Sequence, residues 1–233
     1  EGEVLVESFI EGGVELSVDC FAVDGQVSLL MISRLHQVPG LHQQFSNLLV
    51  EFPYAVPERV QQALKDIAAR MSIAFGIPNG PFFFQAKLKG GALQVIEMGA
   101  RIAGGRKYSA VKATTGFDPL EAQLDVLEGK KPVIIIAPAG RYYITVMLFA
   151  LLGTIAHVQI PRSPALLEHF MVKGTPYLSQ GSGTGRDRIA VLTVTGTERD
   201  SALRNMAAIL EDVRMENEQG ESLLWKELYS GQW

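Results

Sequence analysis

Residues 80–105 read GPFFFQAKLKGGALQVIEMGARIAGG. Two apolar runs flank a glycine pair, which predicts strands at Phe82–Leu88 and Leu93–Met98 joined by Lys89-Gly90-Gly91-Ala92. Each run carries one oxygen-bearing side chain amid hydrophobics, Gln85 and Glu97. A carboxylate buried in such a run is costly unless something compensates it. A hard cation such as Mg²⁺ is one compensator, since it takes oxygen ligands and shares its shell with substrate phosphates. Register decides whether the two side chains cooperate. A three-residue loop sets Gln85 opposite Val95 or Glu97 on one face, whereas a two-residue loop turns Glu97 to the other. The alternative is a structural Glu97 paired with Lys87 or Arg101. Arg101 leaves the second strand four residues after Glu97, where its fork could hold a phosphate or acyl-phosphate in bidentate fashion. Gly104-Gly105 either lets backbone approach a ligand or simply makes a turn.

Outward from this hairpin, the N-terminal side predicts strands at Val4–Ile10 and Val14–Val23 around Glu11-Gly12-Gly13, then Gln26–Arg34 after the Asp24-Gly25 turn. His36–Pro57 reads as irregular, with prolines at 39, 53 and 57. Pro57 opens a helix over Glu58–Phe75, whose stripe Val60, Leu64, Ile67, Ala68 and Met71 has helical spacing. On the C-terminal side, helices are predicted over Tyr108–Thr115 and Leu120–Leu127, broken by Gly116-Phe117-Asp118-Pro119. Beyond Lys130 the pattern predicts strands at Val133–Ala137, Tyr142–Leu148 and Thr154–Ile160. A short helix over Ser163–Phe170, a strand–loop–strand over 172–195 and a helix over Arg199–Met215 follow. The expected class is α+β: an antiparallel sheet with packed helices over residues 1–129, then a smaller α+β segment over 130–233.

Length and composition bound the rest. The chain has 233 residues, 47% hydrophobic and 20% charged, enough for a full core without disulfide or metal staples. The net charge of -4 argues against a general nucleic-acid binder. The single cysteine, Cys20, lies mid-strand and reads as core; with no intrachain disulfide available, a cytoplasmic setting is expected. The first residues lack the basic region of a signal peptide, and their strand-like pattern suggests a chain that begins inside a larger protein. YYITVMLFALLGTIAHVQIP, residues 142–161, is long enough for a bilayer span. Gly153-Thr154 and the β-branched content instead predict a two-stranded hairpin turning at Gly153, and no membrane partner. GSGTGRDR, residues 181–188, lacks the following helix that a phosphate loop needs and reads as a flexible hairpin loop. The four histidines show no metal-ligand spacing.

VLVESFIEGGVELSVDCFAVDGQV, GPFFFQAK with VIEMGAR, and KATTGFDPLEAQLDVLEG together resemble the second half of an ATP-grasp domain over residues 1–129. Gln85, in place of the commoner Glu, resembles the carbamoyl-phosphate-synthetase variant of the pattern. Residues 130–220 resemble, less specifically, the C-terminal region of ATP-grasp amino-acid ligases. The resemblance implies ATP with Mg²⁺ or Mn²⁺ as cofactors. It implies that Glu7, Ser8 and Ile10 line adenine, that Glu15 faces the ribose, that Gln85 and Glu97 hold the metal, and that Arg101 contacts the transferred phosphate. It further implies an ATP-dependent ligase joining a small carboxylate to an amine through an acyl-phosphate. The partner lobe with the phosphate-binding lysines would lie upstream, self-association into a homodimer stays open, and this piece alone is expected to be inactive. The family's pattern has Asn two residues after the metal-binding Glu; here that position is Gly99. The departure keeps a second expectation open, a nucleotide-binding or structural module without turnover.

Overall fold

The computed structural model describes residues 3–4, 6–38, 46–138 and 140–231. Strand β1 (Val14–Val23) turns at Asp24-Gly25 into β2 (Gln26–Gln37), and β3 (Asn47–Phe52) pairs with β2 in turn. Helix α1 (Glu58–Ala74) follows, then the hairpin β4 (Gly80–Lys89) and β5 (Ala92–Gly99), and helices α2 (Lys107–Thr115) and α3 (Pro119–Leu127). The remainder comprises β6 (Tyr142–Phe149), β7 (Leu152–Ile155), β8 (His157–Gln159), β9 (Leu166–Met171), β10 (Tyr177–Gln180) and β11 (Arg188–Gly196). Helix α4 (Arg199–Asp212), β12 (Arg214–Glu216) and a 3-10 turn at Lys226–Tyr229 close the chain.

Eight strands form one antiparallel sheet in the order β5-β4-β1-β2-β3-β6-β11-β9, so the fold is α+β as expected. The sheet crosses Gly129 without a break, because β3 is hydrogen-bonded to β6. Alternation along β1 sorts its residues between the two faces. Leu16, Val18, Cys20 and Ala22 pack under Val60, Leu64 and Ala68 of α1. On the same face, Ile144, Val146 and Leu148 of β6 meet Ala202, Met206 and Ile209 of α4. The opposite face receives Phe21, Met31, Val50 and Met147, covered by Ala110 and Val111 of α2 and Phe117 and Ala122 near α3. Cys20 is buried core, and burial pushes its thiol pKa up.

Several expectations are corrected. Residues 6–10 are not a strand, since β1 already pairs on both sides, with β2 and β4, and offers no free edge. The stretch read as irregular holds β3, a central strand whose NLLVEF is almost wholly buried. Val133–Ala137 has no ladder; Ala137 N donates to Thr115 O at 2.8 Å, and Ile134 packs against the core. Ser163–Phe170 is not helical: Leu166, Glu168 and Phe170 alternate inward with a period of two along the edge strand β9. The expected 142–161 hairpin is absent. β6 ends at Phe149 and pairs with β3 and β11, β7 pairs with β10, and β8 pairs with β12. Loop 181–187 joins β10 to β11, which lie in different sheets, so it is not a hairpin loop. The last helix stops at Asp212, where the extended Val213 leads into β12. Among the described residues, no helix is long and apolar enough to cross a membrane.

Candidate active site

The β4–β5 turn has two residues, Gly90 and Gly91, both with positive φ, as a tight hairpin of this hand requires. Continued regularly, that register would set Gln85 opposite Ile96 and send Glu97 to the α1 face. A β-bulge intervenes: Ala86 faces Val95, but Gln85 faces Glu97. The extra residue, Ile96, turns Glu97 onto the face of Gln85. Ser17 of β1 is the next partner across, so Ser17, Gln85 and Glu97 form one row over three strands.

Two adjoining cavities open on this face and share Asn47, Gln85 and Glu97. The larger, about 610 Å³, is lined by Glu7, Ser8, Ile10 and Glu15 together with Lys87 and Gln37. Lys87 Nζ donates to Ile10 O at 2.8 Å and stands 5.3 Å from the Phe9 ring centroid, tying the irregular N-terminal segment over the strand. Gln37 Nε2 donates to Glu15 at 2.8 Å. Burial raises the Glu15 pKa, against the pull of Lys87 and Gln37 and with a contribution from the Glu97 charge. The smaller cavity, about 200 Å³, adds Arg101, Gly104, Gly105, Lys107, Thr145 and Arg188. All the residues singled out from sequence therefore border one continuous depression.

Glu97 is exposed, not buried, because β5 is the sheet's outer strand. It makes no ion pair with Lys87 or Arg101, and no hydrogen bond of its side chain is found among the described residues. Gly99 has a specific surrounding: a side-chain carbon built there would lie 2.6 Å from Phe83 Cε1. The Phe83 ring fills the place that a longer residue would need, and Arg101 rests its guanidinium over that ring at 5.0 Å. Arg101 also donates to Ile102 O at 2.9 Å.

As a donor set for a cation, Gln85 and Glu97 offer oxygens from facing positions, with Gly99 adding none. Among the described residues, no cluster of three or more His, Cys, Asp and Glu could enclose an ion. Such a set fits Mg²⁺, which keeps waters and shares substrate phosphates, better than an ion caged wholly by protein.

Sequence reasoning missed several cavity residues, Asn47, Lys107 and Arg188 among them. Asn47 reaches both cavities because Leu48 is bulged in the β2–β3 ladder, where His36 faces Leu49 but Gln37 faces Asn47. Lys107, buried at the start of α2, donates to Asp19 at 3.0 Å and Ser33 at 2.6 Å. Arg188 enters from the far half of the sheet. The signal for Lys107 was its place just after Gly104-Gly105; for the other two the sequence carries none short of the bulges.

Residues 1–109 match the model of the ATP-grasp domain. The similarity places this part of the chain in the ATP-grasp superfamily. Its ATP-grasp part is 28% identical over 130 residues to "Carbamoyl-phosphate synthase [ammonia], mitochondrial" of Homo sapiens, covering 56% of this chain and 8% of that one. The ATP-grasp architecture extends further than the sequence match. A phosphoribosylglycinamide synthetase from Anaerococcus prevotii superposes with a TM-score of 0.78 at 14% identity, over 89% of this chain and 54% of that one. An L-amino acid ligase from Bacillus licheniformis gives 0.77 at 18% identity, over 90% and 53%. The chain thus spans about half the length of these solved relatives and a small part of the curated one.

Proposed function

We propose that this chain carries the metal- and phosphate-facing wall of an ATP-dependent ligase that joins a small carboxylate to an amine. The observation that supports it best is the bulged pairing of Gln85 with Glu97, which turns a carboxylate without a protein partner toward Arg101 in a shared depression. In this reading ATP lies along the larger cavity, with Glu7, Ser8 and Ile10 at the base and Glu15 toward the ribose. Gln85 and Glu97 hold Mg²⁺ or Mn²⁺, which supplies charge neutralisation to the phosphates. Arg101 takes the transferring phosphoryl oxygens. An oxygen of the acceptor carboxylate forms a bond to the γ-phosphorus as the bond to ADP breaks. The amine nitrogen then attacks the acyl carbon, phosphate leaves, and the nitrogen's proton passes to solvent. What the protein contributes is position and preorganised charge.

Glu97→Ala in the intact protein tests this, because it removes the charged member of the metal pair. Metal-dependent phosphate release over a panel of small carboxylates and amines should be lost; release at the unaltered rate would refute the assignment. A second reading, nucleotide binding without turnover, is favoured by one observation: Phe83 occupies the space beside Gly99. Binding of Mg·ATP with no release for any substrate pair would establish that reading. The described residues wall the phosphates on one side, leaving them open to water, which screens electrostatic stabilisation. Calorimetric titration of this 233-residue chain with Mg·ATP should therefore give millimolar affinity, about 4 kcal/mol. Micromolar affinity would mean that the chain encloses the nucleotide by itself.

A further inference from the structure

We propose that Arg188 is the acceptor-recognition residue of this site, its guanidinium taking the carboxylate of a small acid seated between the two halves of the sheet. The inference rests on the ligase reading for its function, and on independent geometry for its place.

Arg188 opens β11 at the mouth of the 200 Å³ cavity that Glu97 and Arg101 border from the other side. Its direction is set by a second bulge. In the β11–β6 ladder Ala190 faces Leu148 and Val191 faces Met147, on alternate faces. Regular pairing would carry Arg188 opposite Ala150 and onto the α4 face with Ala190. Instead Ile189 is bulged and Arg188 faces Phe149, on the face of Thr145 and Met147, which line the cavity. Bulges recur where a side chain must be re-aimed. Here one at Ile96 and one at Ile189 send an acid and a base into the same depression from opposite halves of the sheet.

The backbone that carries Arg188 is held firmly. Its neighbour Asp187 is fully buried and accepts from Gln180 N at 2.8 Å and Ser182 N at 2.5 Å, while Asp187 O accepts from Ala150 N at 3.2 Å. Burial alone would raise the Asp187 pKa; the donors from Ser182, Gln180 and Ser179 outweigh it and hold the pKa down, so the loop anchor stays ionised. The loop that resembles a phosphate-binding stretch is thus a support folded around one carboxylate.

The guanidinium itself is not satisfied. Arg188 Nε is buried without a hydrogen-bond partner, and among the described residues no acid lies within ion-pair distance of Arg188. The neighbouring cations of the cavity are engaged: Lys107 by Asp19 and Ser33, Arg101 by Ile102 O and the Phe83 ring. A buried donor left unpaired is costly, and a planar fork matches a carboxylate in two parallel bonds. The walls around it include Phe52, Phe83 and Met147, and the volume admits only an acid of a few carbons.

The test is NMR of the 233-residue chain with ¹⁵N-labelled arginine, following the Arg188 Nε–Hε resonance. Arg188→Met identifies that resonance, and thermal melts check that the variant stays folded. Bicarbonate, acetate, glycine, succinate and inorganic phosphate are titrated separately. At least one carboxylate (bicarbonate included) should shift the resonance saturably. Its binding should weaken at least tenfold in Arg188→Lys, which keeps the charge without the fork, and vanish in Arg188→Met. No response to any carboxylate, response to phosphate alone, or carboxylate binding that survives Arg188→Met would each overturn the proposal. Mg·ATP affinity, measured on the same samples, should be unchanged in Arg188→Met. Loss of nucleotide binding in that variant places Arg188 on the nucleotide and overturns the acceptor role. Wild-type chain that binds carboxylate but no nucleotide overturns the ligase reading and leaves the Arg188 carboxylate site standing.

Discussion

Two carboxylates on opposite faces of one sheet have opposite surroundings. Glu51 of β3 points to the α4 face and is fully buried. Arg199 grips it twice, at 2.6 and 3.0 Å; Tyr142 and His36 each donate at 2.6 Å, and Arg34 stands 3.8 Å away. Glu97 of β5 points to the cavity face, is exposed, and has no protein partner among the described residues. Glu51 joins β2, β3, β6 and α4 and leaves no bonding capacity for a ligand. Glu97 joins nothing and leaves all of it. A carboxylate that the fold has already neutralised serves architecture; one presented unneutralised in a cavity that also holds the unpaired Arg188 is available for chemistry.

The largest effect should fall on the architectural member. Burial pushes the Glu51 pKa up, but hydrogen bonds from His36, Arg199 and Tyr142 and the Arg199 charge outweigh it and hold the pKa far below the ordinary carboxylate range. Burial and the Glu51 charge in turn push the Tyr142 phenol up. Glu51→Ala strands Arg199 and Tyr142 together, and breaking a buried charge network costs about 3–5 kcal/mol. In a chain of this size the melting temperature should fall by about 6–20 °C. A loss under 2 °C would show that the cluster relaxes into solvent. The same pairing gives a pH dependence. Because the folded pKa is depressed, protonation favours the unfolded chain, so this stability is complete above the unfolded carboxylate pKa and drains as pH falls below about 5. Glu51→Gln should flatten that acid limb in melts taken across pH, whereas Glu97→Gln should leave it in place.

The next effect tests why the cavity side has a depleted ligand set. At Gly99 a side chain would meet the Phe83 ring at 2.6 Å. Gly99→Asn should therefore destabilise by about 1–3 kcal/mol through overpacking. Adding Phe83→Ala opens the space, and the double variant should take up Mn²⁺ more tightly than the wild type in a paramagnetic relaxation titration. If the double variant gains no affinity, position 99 does not face the ion.

How far these two regions were legible in sequence follows from their physics. Gln85 and Glu97 stood out because a polar residue in each arm of a Gly-Gly hairpin is a local pattern, and the α+β class followed from periodicity. The register that unites them was not legible. The turn has two residues, and only the bulge at Ile96 restores the shared face. A bulge is fixed by what both strands pack against, so no short window encodes it. Asn47 and Arg188 were missed for the same reason, each set by its own bulge. β3, which carries Glu51, was hidden between prolines. β9 was mistaken for a helix because its short apolar run fits either period until an edge of β11 is there to receive it.

The smallest expected effect is the most diagnostic for Glu97. Substituting an exposed residue without partners changes stability within about 0.5 kcal/mol. One interaction gives the expected sign. The Glu97 charge contributes to raising the Glu15 pKa, which means the two carboxylates repel across the β1–β4–β5 face. A carboxylate whose folded pKa is raised opposes folding at neutral pH, where the unfolded chain ionises it freely. Glu97→Gln removes the repelling charge while keeping the side chain's length, so melts at pH 7 should show no loss and a slight gain. At a pH low enough to protonate Glu15 there is no charge left for Glu97 to repel, and the gain should disappear. Mn²⁺ uptake measured on the same variant should meanwhile fall, since the neutral amide is a poorer ligand than the carboxylate. A stability gain without loss of metal would mean that Glu97 merely crowds Glu15. A stability loss would mean that it has a structural partner, which would make it an architectural carboxylate like Glu51.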